Sequence, residues 1–301
     1  MRTLVITVPY RYDEPDTGLG AGPAALLRAG LLDRLMESGH EVRGPVESRL
    51  DPDHRLEGHT IANLGALGAR TAELVASARR AGERTLVLAG DDTAAIGVVA
   101  GLQQAEGEAV PVGVVWLDAH GDFNTPETSY SGILAGMPLA IIAGLAEPQW
   151  RQSAGLAAPI PTERILIGGV RELDPEEERA LRSTSVTIVA CDEVRAGEPF
   201  AREVERMAAR CQAILLHLDV DVLDPHLVPS ATTPVERGLE LDEAVSALTT
   251  VLRTGKVAAV CVCSLNPGGG MRGQTSIETT LALLEKALPA WTSAPGLRVA
   301  S

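Results

Sequence analysis

Asp118, His120 and Asp122 alternate in WLDAHGDFN (residues 116–124), directly after an apolar run from Val112 to Leu117. In an extended chain a period of two places all three side chains on one face. Two carboxylates and an imidazole at that spacing, where a strand runs out, suit a divalent cation. Two further acid clusters close apolar runs: Asp91 and Asp92 in LVLAGDDT, and Asp219, Asp221 and Asp224 in LLHLDVDVLDP. If these ends converge, so many carboxylates repel one another unless cations neutralise them. An oxygen-rich, imidazole-poor donor set suits Mn²⁺ or Mg²⁺ better than Zn²⁺. Two metals sharing carboxylates activate a water for attack on a trigonal carbon. A lone Asp at a strand end is ordinarily a cap or turn residue. Two alternating motifs in one chain favour the metal.

The elements that must position these residues alternate along the chain. Short β-branched runs predict strands at Leu4–Val8, Leu86–Leu88, Val112–Leu117, Ile165–Ile167, Val186–Val189, Ile214–Leu218 and Val257–Cys263, with an edge strand at Val42–Val46. Helical periodicity marks Pro23–Ser38, Ile61–Ala81, Thr93–Gln104, Glu176–Arg182, Pro199–Arg210, Leu241–Leu252 and Ser276–Ala287. Alternating strands and helices imply an α/β fold: a doubly wound, mostly parallel sheet with helices on both faces, in three α/β/α layers. Its site is expected at the carboxyl ends of the strands. No repeat, linker or low-complexity tract divides the sequence, so one domain over 1–301 is expected.

A net charge of about −14 argues against a nucleic-acid backbone or an anionic membrane as partner, and 3% aromatics leave few stacking platforms for bases. A small-molecule substrate remains. No apolar run approaches the roughly 18 residues of a membrane span, and the apolar stretch of MRTLVITVPY is short for a signal peptide. The four cysteines, Cys191, Cys211, Cys261 and Cys263, lack paired metal spacing. Cys261 and Cys263 read as small buried hydrophobes, and a reducing cytoplasm is the expected location.

Taken in order, the motifs resemble the arginase/agmatinase (ureohydrolase) family over most of the chain. GAGPAALLRAGLL is similar to its first-helix segment. AGDDTAAIG stands where the family has Gly-Gly-Asp-His-Ser. WLDAHGDFNTPETSYSG matches Asp-Ala-His-x-Asp and the following substrate loop. GVRELDPEE resembles a substrate-amine loop, HLDVDVLDP with TTPV matches Asp-x-Asp, and VCSLNPGGG stands at the last motif. The resemblance implies a three-layer α/β/α domain, a binuclear Mn²⁺ site, trimers or hexamers, and hydrolysis of a guanidino or related group. It implies that Asp118 and Asp219 bridge the metals, that Asp122 completes the first and that His120 and Asp221 complete the second. Asn124 and Ser131 match positions that contact a substrate α-carboxylate, and Asp174 and Glu177 match positions near its α-amine.

Four departures stand out. Asp92 replaces the first-motif histidine and leaves the first metal with carboxylates almost alone. Ala135 stands where arginases carry a proton-shuttling histidine, which alanine cannot replace. Ile133 replaces a polar residue beside the carboxylate site. Ser264 replaces a glutamate that grips the guanidinium, so the charged pair is lost. Together these changes argue against an ordinary L-arginine arginase and for a less basic substrate such as an N-hydroxyguanidine. The expected reaction is attack by a metal-bridging hydroxide on a guanidino-type carbon, with Asp221 orienting that hydroxide. Another amidino, formimino or amide substrate is the first alternative, and a binding or regulatory protein without turnover is the second.

The remaining histidines divide. His40, His54 and His59 are expected in solvated loops or edges. His217 shares a strand face with Asp219, either behind the ligands or as an extra ligand. His226, after LDP, is expected at the site mouth as the replacement proton relay. The glycines of GLGAG (residues 18–22) read as a site-rim loop rather than a dinucleotide loop.

Overall fold

A computed structural model describes residues 2–291; Met1 and residues 292–301 of the expected 1–301 domain lie outside the described residues. Ten strands form in chain order: β1 (Thr3–Val8), β2 (Tyr10–Arg11), β3 (Glu14–Pro15), β4 (Val42–Glu47), β5 (Arg84–Ala89), β6 (Val112–Leu117), β7 (Ile165–Val170), β8 (Thr187–Ala190), β9 (Ala213–Asp219) and β10 (Val257–Cys263). Strands β2 and β3 make a small antiparallel pair, and the other eight form one sheet in the order β4-β1-β5-β10-β9-β6-β7-β8. Every pairing in that sheet is parallel.

Parallel strands covered on both faces read as unbroken apolar runs. Strands β1, β5, β6, β7, β9 and β10 are buried at every position. The period of two sends alternate side chains into two cores: Val114 and Trp116 of β6 into one, Val115 and Leu117 into the other. The first core is closed by α3 (Thr60–Arg80), α4 (Ala94–Glu106), α5 (Pro138–Ile142) and α6 (Pro148–Ser153). The second is closed by α1 (Gly22–Arg28), α2 (Leu31–Glu37), α8 (Cys191–Ala196), α9 (Glu198–Ala208), α10 (Leu241–Leu252) and α11 (Met271–Ala287). The short α7 (Pro175–Arg182) follows β7. The result is the three-layer α/β/α arrangement expected from the alternation.

The differences have local causes. The helix expected over Pro23–Ser38 is two, because Gly30 takes φ +89° between α1 and α2. Helices α5, α6 and α8 span five or six residues, too few to show a helical period. Helix α11 begins at Met271, ahead of the expected Ser276. His40 is half-buried rather than solvated: its Nδ1 lies 3.0 Å from the Arg84 guanidinium.

The strand order decides the site. β5, β10, β9 and β6 are consecutive neighbours, although β5 and β6 are separated from β9 and β10 by about 95 to 170 residues of chain. Leu117 pairs with Leu218, Cys263 with Asp219 and Val262 with Leu88. The residues that follow or close these strands therefore meet at one edge of the sheet.

Candidate metal centre

Asp118 leaves the end of β6 buried, and three donors hold it. Its Oδ2 accepts the Trp116 indole N–H at 3.0 Å, and its Oδ1 accepts the His120 backbone N–H at 2.7 Å. His120 Nδ1 lies 3.3 Å from Asp118 Oδ1 and 3.2 Å from Asp221 Oδ2. Asp122 takes φ +47°, in the left-handed region that Asp tolerates better than most residues. Gly121 beside it has no room for a side chain, since a Cβ there would sit 2.6 Å from Glu177 Oε1. Asp221 Oδ1 accepts the Ala119 N–H at 3.2 Å, and its Oδ2 accepts the Thr233 hydroxyl at 3.1 Å. Asp219 Oδ1 accepts the Asp221 N–H at 2.7 Å.

Two sets of donor atoms, each within 4.8 Å of one another, share Asp118: Asp92 with Asp118 and Asp122, and Asp118 with His120 and Asp221. Asp219 lines the same cavity but belongs to neither set. A third set is Asp92, His217 and Cys263. Cys263 thus does more than fill space: its Sγ lies 3.0 Å from Asp92 Oδ1. Asp91, by contrast, is used structurally. It accepts the Tyr12 N–H at 2.6 Å and both the N–H and hydroxyl of Thr93, at 3.0 and 2.5 Å.

The electrostatics are those of a site that wants cations. Burial, then the Asp221 charge, pushes the Asp118 carboxyl up to about 7. Burial raises Asp122 and Asp219 well above the ordinary range, with neighbouring carboxylates adding to it. Burial pulls His120 down, but its hydrogen bonds and charge contacts with Asp118 and Asp221 prevail and lift it to about 11. Burial also opposes ionisation of Asp221, and there the His120 contact prevails and lowers it. Protons hold the cluster together where no cation does.

A cavity of about 310 Å³ opens above these residues. Asp92, His120, Asp122, Asp219, Asp221, Asn124, Ser131, Asp174, Glu177 and Ser264 all line it, so the structure brings these site candidates to one place. Asn124 donates to Asp174 Oδ2 at 3.1 Å and accepts the Thr128 hydroxyl at 2.9 Å. The oxygens of Glu177 already accept the backbone N–H groups of Phe123, at 2.8 Å, and of Asp174, at 3.3 Å. Glu177 therefore shapes the loop before it meets any ligand. Ser131 is exposed at the rim and accepts the Ile133 N–H at 3.2 Å. Ile133 and Ala135 also line the cavity, with an alkyl group and a methyl where a proton relay was absent by sequence. Leu19, from the GLGAG segment, lines it as a rim residue.

His226 is the correction. It is not among the residues lining the cavity. Its exposed ring pairs with Asp224 Oδ1 at 2.7 Å and lies 3.5 Å from Glu240 Oε2. Asp224 follows Asp221 by three residues and pairs with the ring, so His226 does not stand at the cavity as expected. Sequence reasoning also passed over Arg11, Tyr12, Glu172, Thr232 and Thr233 in the lining, and Trp116 beneath it. The alternation that exposed Asp118 carried a signal for Trp116, two residues earlier on the same face.

The Arginase family model matches residues 1–288. An arginase from Neurospora crassa is 33% identical over 280 residues, covering 87% of this chain and 78% of that protein. An arginase from Bacillus subtilis is 30% identical over 292 residues, covering 94% and 98%. The crystal structure of the Bacillus subtilis arginase superposes with a TM-score of 0.82 at 28% identity, covering 99% of this chain and 100% of that one. A formimidoylglutamase from Bacillus subtilis shares the fold at a TM-score of 0.73 and 18% identity. With acid-bearing strand ends gathered over one cavity and a family match along nearly its whole length, this chain belongs to the arginase family.

Proposed function

We propose that the chain is a manganese-dependent amidinohydrolase that cleaves a C–N bond of a guanidino or N-hydroxyguanidino group on an arginine-like small molecule, and that L-arginine itself is a poor substrate. The observation that carries this reading is the pair of donor sets that share the buried Asp118 and whose other members, Asp92, Asp122, His120 and Asp221, line the cavity. The donors fit two hard divalent cations. They are mostly carboxylate oxygens, and the buried Asp122 Oδ2 has no hydrogen-bond partner. Asp92, Asp118 and Asp122 would hold one ion, and Asp118, His120 and Asp221 the other, with Asp219 as the expected second bridge. When bound, such ions supply Lewis acidity and lower the pKa of a water to near neutrality.

The chain's own residues do the rest. Asp221 is fixed by Ala119 and Thr233 and would orient the attacking water as well as ligate. Asn124 and Ser131 would bind a substrate carboxylate. Asp174, tied to Asn124 at the cavity, would bind an amino group. Ser264 puts a neutral hydroxyl where a guanidinium would need a charge, and that hydroxyl leans on Asp92 Oδ2 at 3.3 Å. A charge-assisted bond is worth about 1.5–3 kcal/mol, so its loss selects against the fully cationic L-arginine. A cytoplasmic homo-oligomer, a trimer or hexamer, is part of the same proposal.

The test is turnover of Mn²⁺-loaded protein on N-hydroxy-L-arginine, L-arginine and N-formimino-L-glutamate. The expected result is kcat/KM at least about 10-fold higher for N-hydroxy-L-arginine than for L-arginine. Preference for L-arginine would refute the selectivity. Turnover of the formimino compound alone would establish the neighbouring amidine chemistry instead. No turnover with both metals bound would favour a binding protein.

A further inference from the structure

We propose that His217 and Cys263 are positioning residues for Asp92: they hold one oxygen of this carboxylate from below, so that the other faces Asp118 and Asp122. The inference rests on the reading that the cavity binds two cations, and it assigns a role to two side chains that the reaction does not touch. Asp92 Oδ1 lies 3.0 Å from His217 Nε2 and 3.0 Å from Cys263 Sγ. Asp92 Oδ2 accepts the Ser264 hydroxyl at 3.3 Å. Asp92 lines the cavity, whereas His217 and Cys263 are 0% and 1% exposed beneath it.

The strand register builds this support. His217 of β9 pairs with Trp116 of β6 on one side and with Cys261 of β10 on the other, and Cys263 follows two residues along on the same face. The Trp116 ring stacks on the imidazole at 3.5 Å between centroids, 14° from parallel, and sets its plane. Trp116 also donates to Asp118, so one indole supports Asp118 directly and Asp92 through His217.

The three atoms Asp92 Oδ1, His217 Nε2 and Cys263 Sγ could themselves be taken for a metal site. Their placement argues against it: neither His217 nor Cys263 lines the cavity, and both contact the single oxygen Asp92 Oδ1 at hydrogen-bond distance. His217 Nδ1 is buried with no hydrogen-bond partner. A neutral imidazole carries one N–H. Ligation through Nε2 would move that hydrogen to Nδ1, which has no partner in either tautomer, so the tautomer alone does not separate ligation from support. With the hydrogen on Nε2 it is donated to Asp92, and Nδ1 is left as a bare acceptor. The histidine thus stands one layer behind the carboxylate, in the way that outer partners orient metal ligands.

The test measures Mn²⁺ binding to the full chain by calorimetry and electron paramagnetic resonance, with melting of the metal-free protein recorded alongside. Removing an outer partner costs roughly 10–100-fold in metal affinity. His217→Leu should therefore weaken one of two Mn²⁺ ions by that factor and leave the other unchanged. His217→Gln, which returns an N–H near the Nε2 position, should restore affinity to within a few-fold. A folded His217→Leu protein that binds both ions as the wild type does would overturn the inference. Should His217→Leu not fold, Cys263→Ala removes the other donor, and the same selective loss, several-fold, is expected; wild-type affinity there would equally overturn it. A strong near-ultraviolet thiolate charge-transfer band in Co²⁺-loaded protein, absent in Cys263→Ser, would make Cys263 a ligand and refute the positioning role. A wild type that binds a single Mn²⁺ would remove the binuclear reading and this inference together. Two ions bound, the selective loss observed and no turnover on the panel would leave the inference standing and refute the proposed reaction.

Discussion

Without metal, this protein should lose stability as pH rises from 5 to 8, the reverse of what paired surface carboxylates produce. Asp118 ionises at about 7 in the folded chain against an ordinary 3.8. The folded state therefore binds the proton more tightly than the unfolded state. That contribution is fully present below 3.8 and is lost as pH rises through about 7. The slope falls off as pH nears the folded pKa, so between pH 5 and 7 one such group removes on the order of 2 kcal/mol. Asp122 and Asp219 shift in the same direction. His120, raised to about 11, adds a loss that begins above its ordinary 6.5. Asp221 is lowered, and its contribution disappears only as pH falls below the ordinary carboxylate range, outside this window. At roughly 2 °C per kcal/mol for a domain of this size, Asp118 alone should lower the metal-free Tm by about 4 °C from pH 5 to 7. Divalent cations bind the deprotonated donors and release protons, so the increment in Tm from Mn²⁺ should grow over the same interval. Scanning calorimetry in EDTA and in saturating Mn²⁺ checks both statements. Asp118→Asn should flatten the metal-free slope, which separates the cluster from groups elsewhere. A metal-free Tm that rises or stays level from pH 5 to 8, or a Mn²⁺ increment independent of pH, would refute the reasoning.

Three other outcomes follow from single contacts. Arg171 donates to the backbone carbonyls of Gly169, Asp221, Val222, Leu223 and Val235, clamping the loop that carries Asp221, so Arg171→Met should cost about 2–4 kcal/mol in denaturant unfolding. A Cβ on Gly90 would lie 1.9 Å from the Tyr10 carbonyl oxygen, which is backbone and cannot swing away; Gly90→Ala should destabilise by about 3 kcal/mol, read by thermal melting. Ser264→Glu adds a charge at the cavity wall and should move the kcat/KM ratio of L-arginine to N-hydroxy-L-arginine by about 10-fold toward L-arginine.

Much of the site was readable because strands encode it twice. An apolar run marks a buried parallel strand, and the acids beyond it mark the strand end. Asp118, His120, Asp122, Asp219 and Asp221 announce themselves in that way, and Asp92 does so through its place after β5. The chain at those ends is not extended as the alternation implied: residues 118–122 bend, with Asp122 at φ +47°, and Val220–Val222 form a 3-10 turn. The edge strand Val42–Val46 also sits where expected, at the end of the sheet order. The reading failed where a single backbone angle or a competing partner decides. Gly30 splits one helical pattern in two through φ +89°, and a pattern of apolar spacing does not register an angle. His226 follows the Asp-x-Asp motif closely, yet Asp224 binds its ring away from the cavity, and proximity in the chain does not say which way a loop turns. Cys263 reads as a hydrophobe because its run is apolar; only the neighbouring strands show that its thiol meets a carboxylate.

By itself the sequence determined the class of fold, the layers, the strand ends that carry acids and the departures at positions 92, 133, 135 and 264, since these depend on local period and residue type. The tertiary structure alone decided that β10 and β9 enter between β5 and β6, and so which donors face which. It decided that Asp92 turns one oxygen to His217 and Cys263 and that Glu177 is occupied by backbone N–H groups. Those outcomes depend on contacts between residues up to 171 positions apart in the chain, and no short-range pattern carries the orientation of a side chain toward a partner that distant.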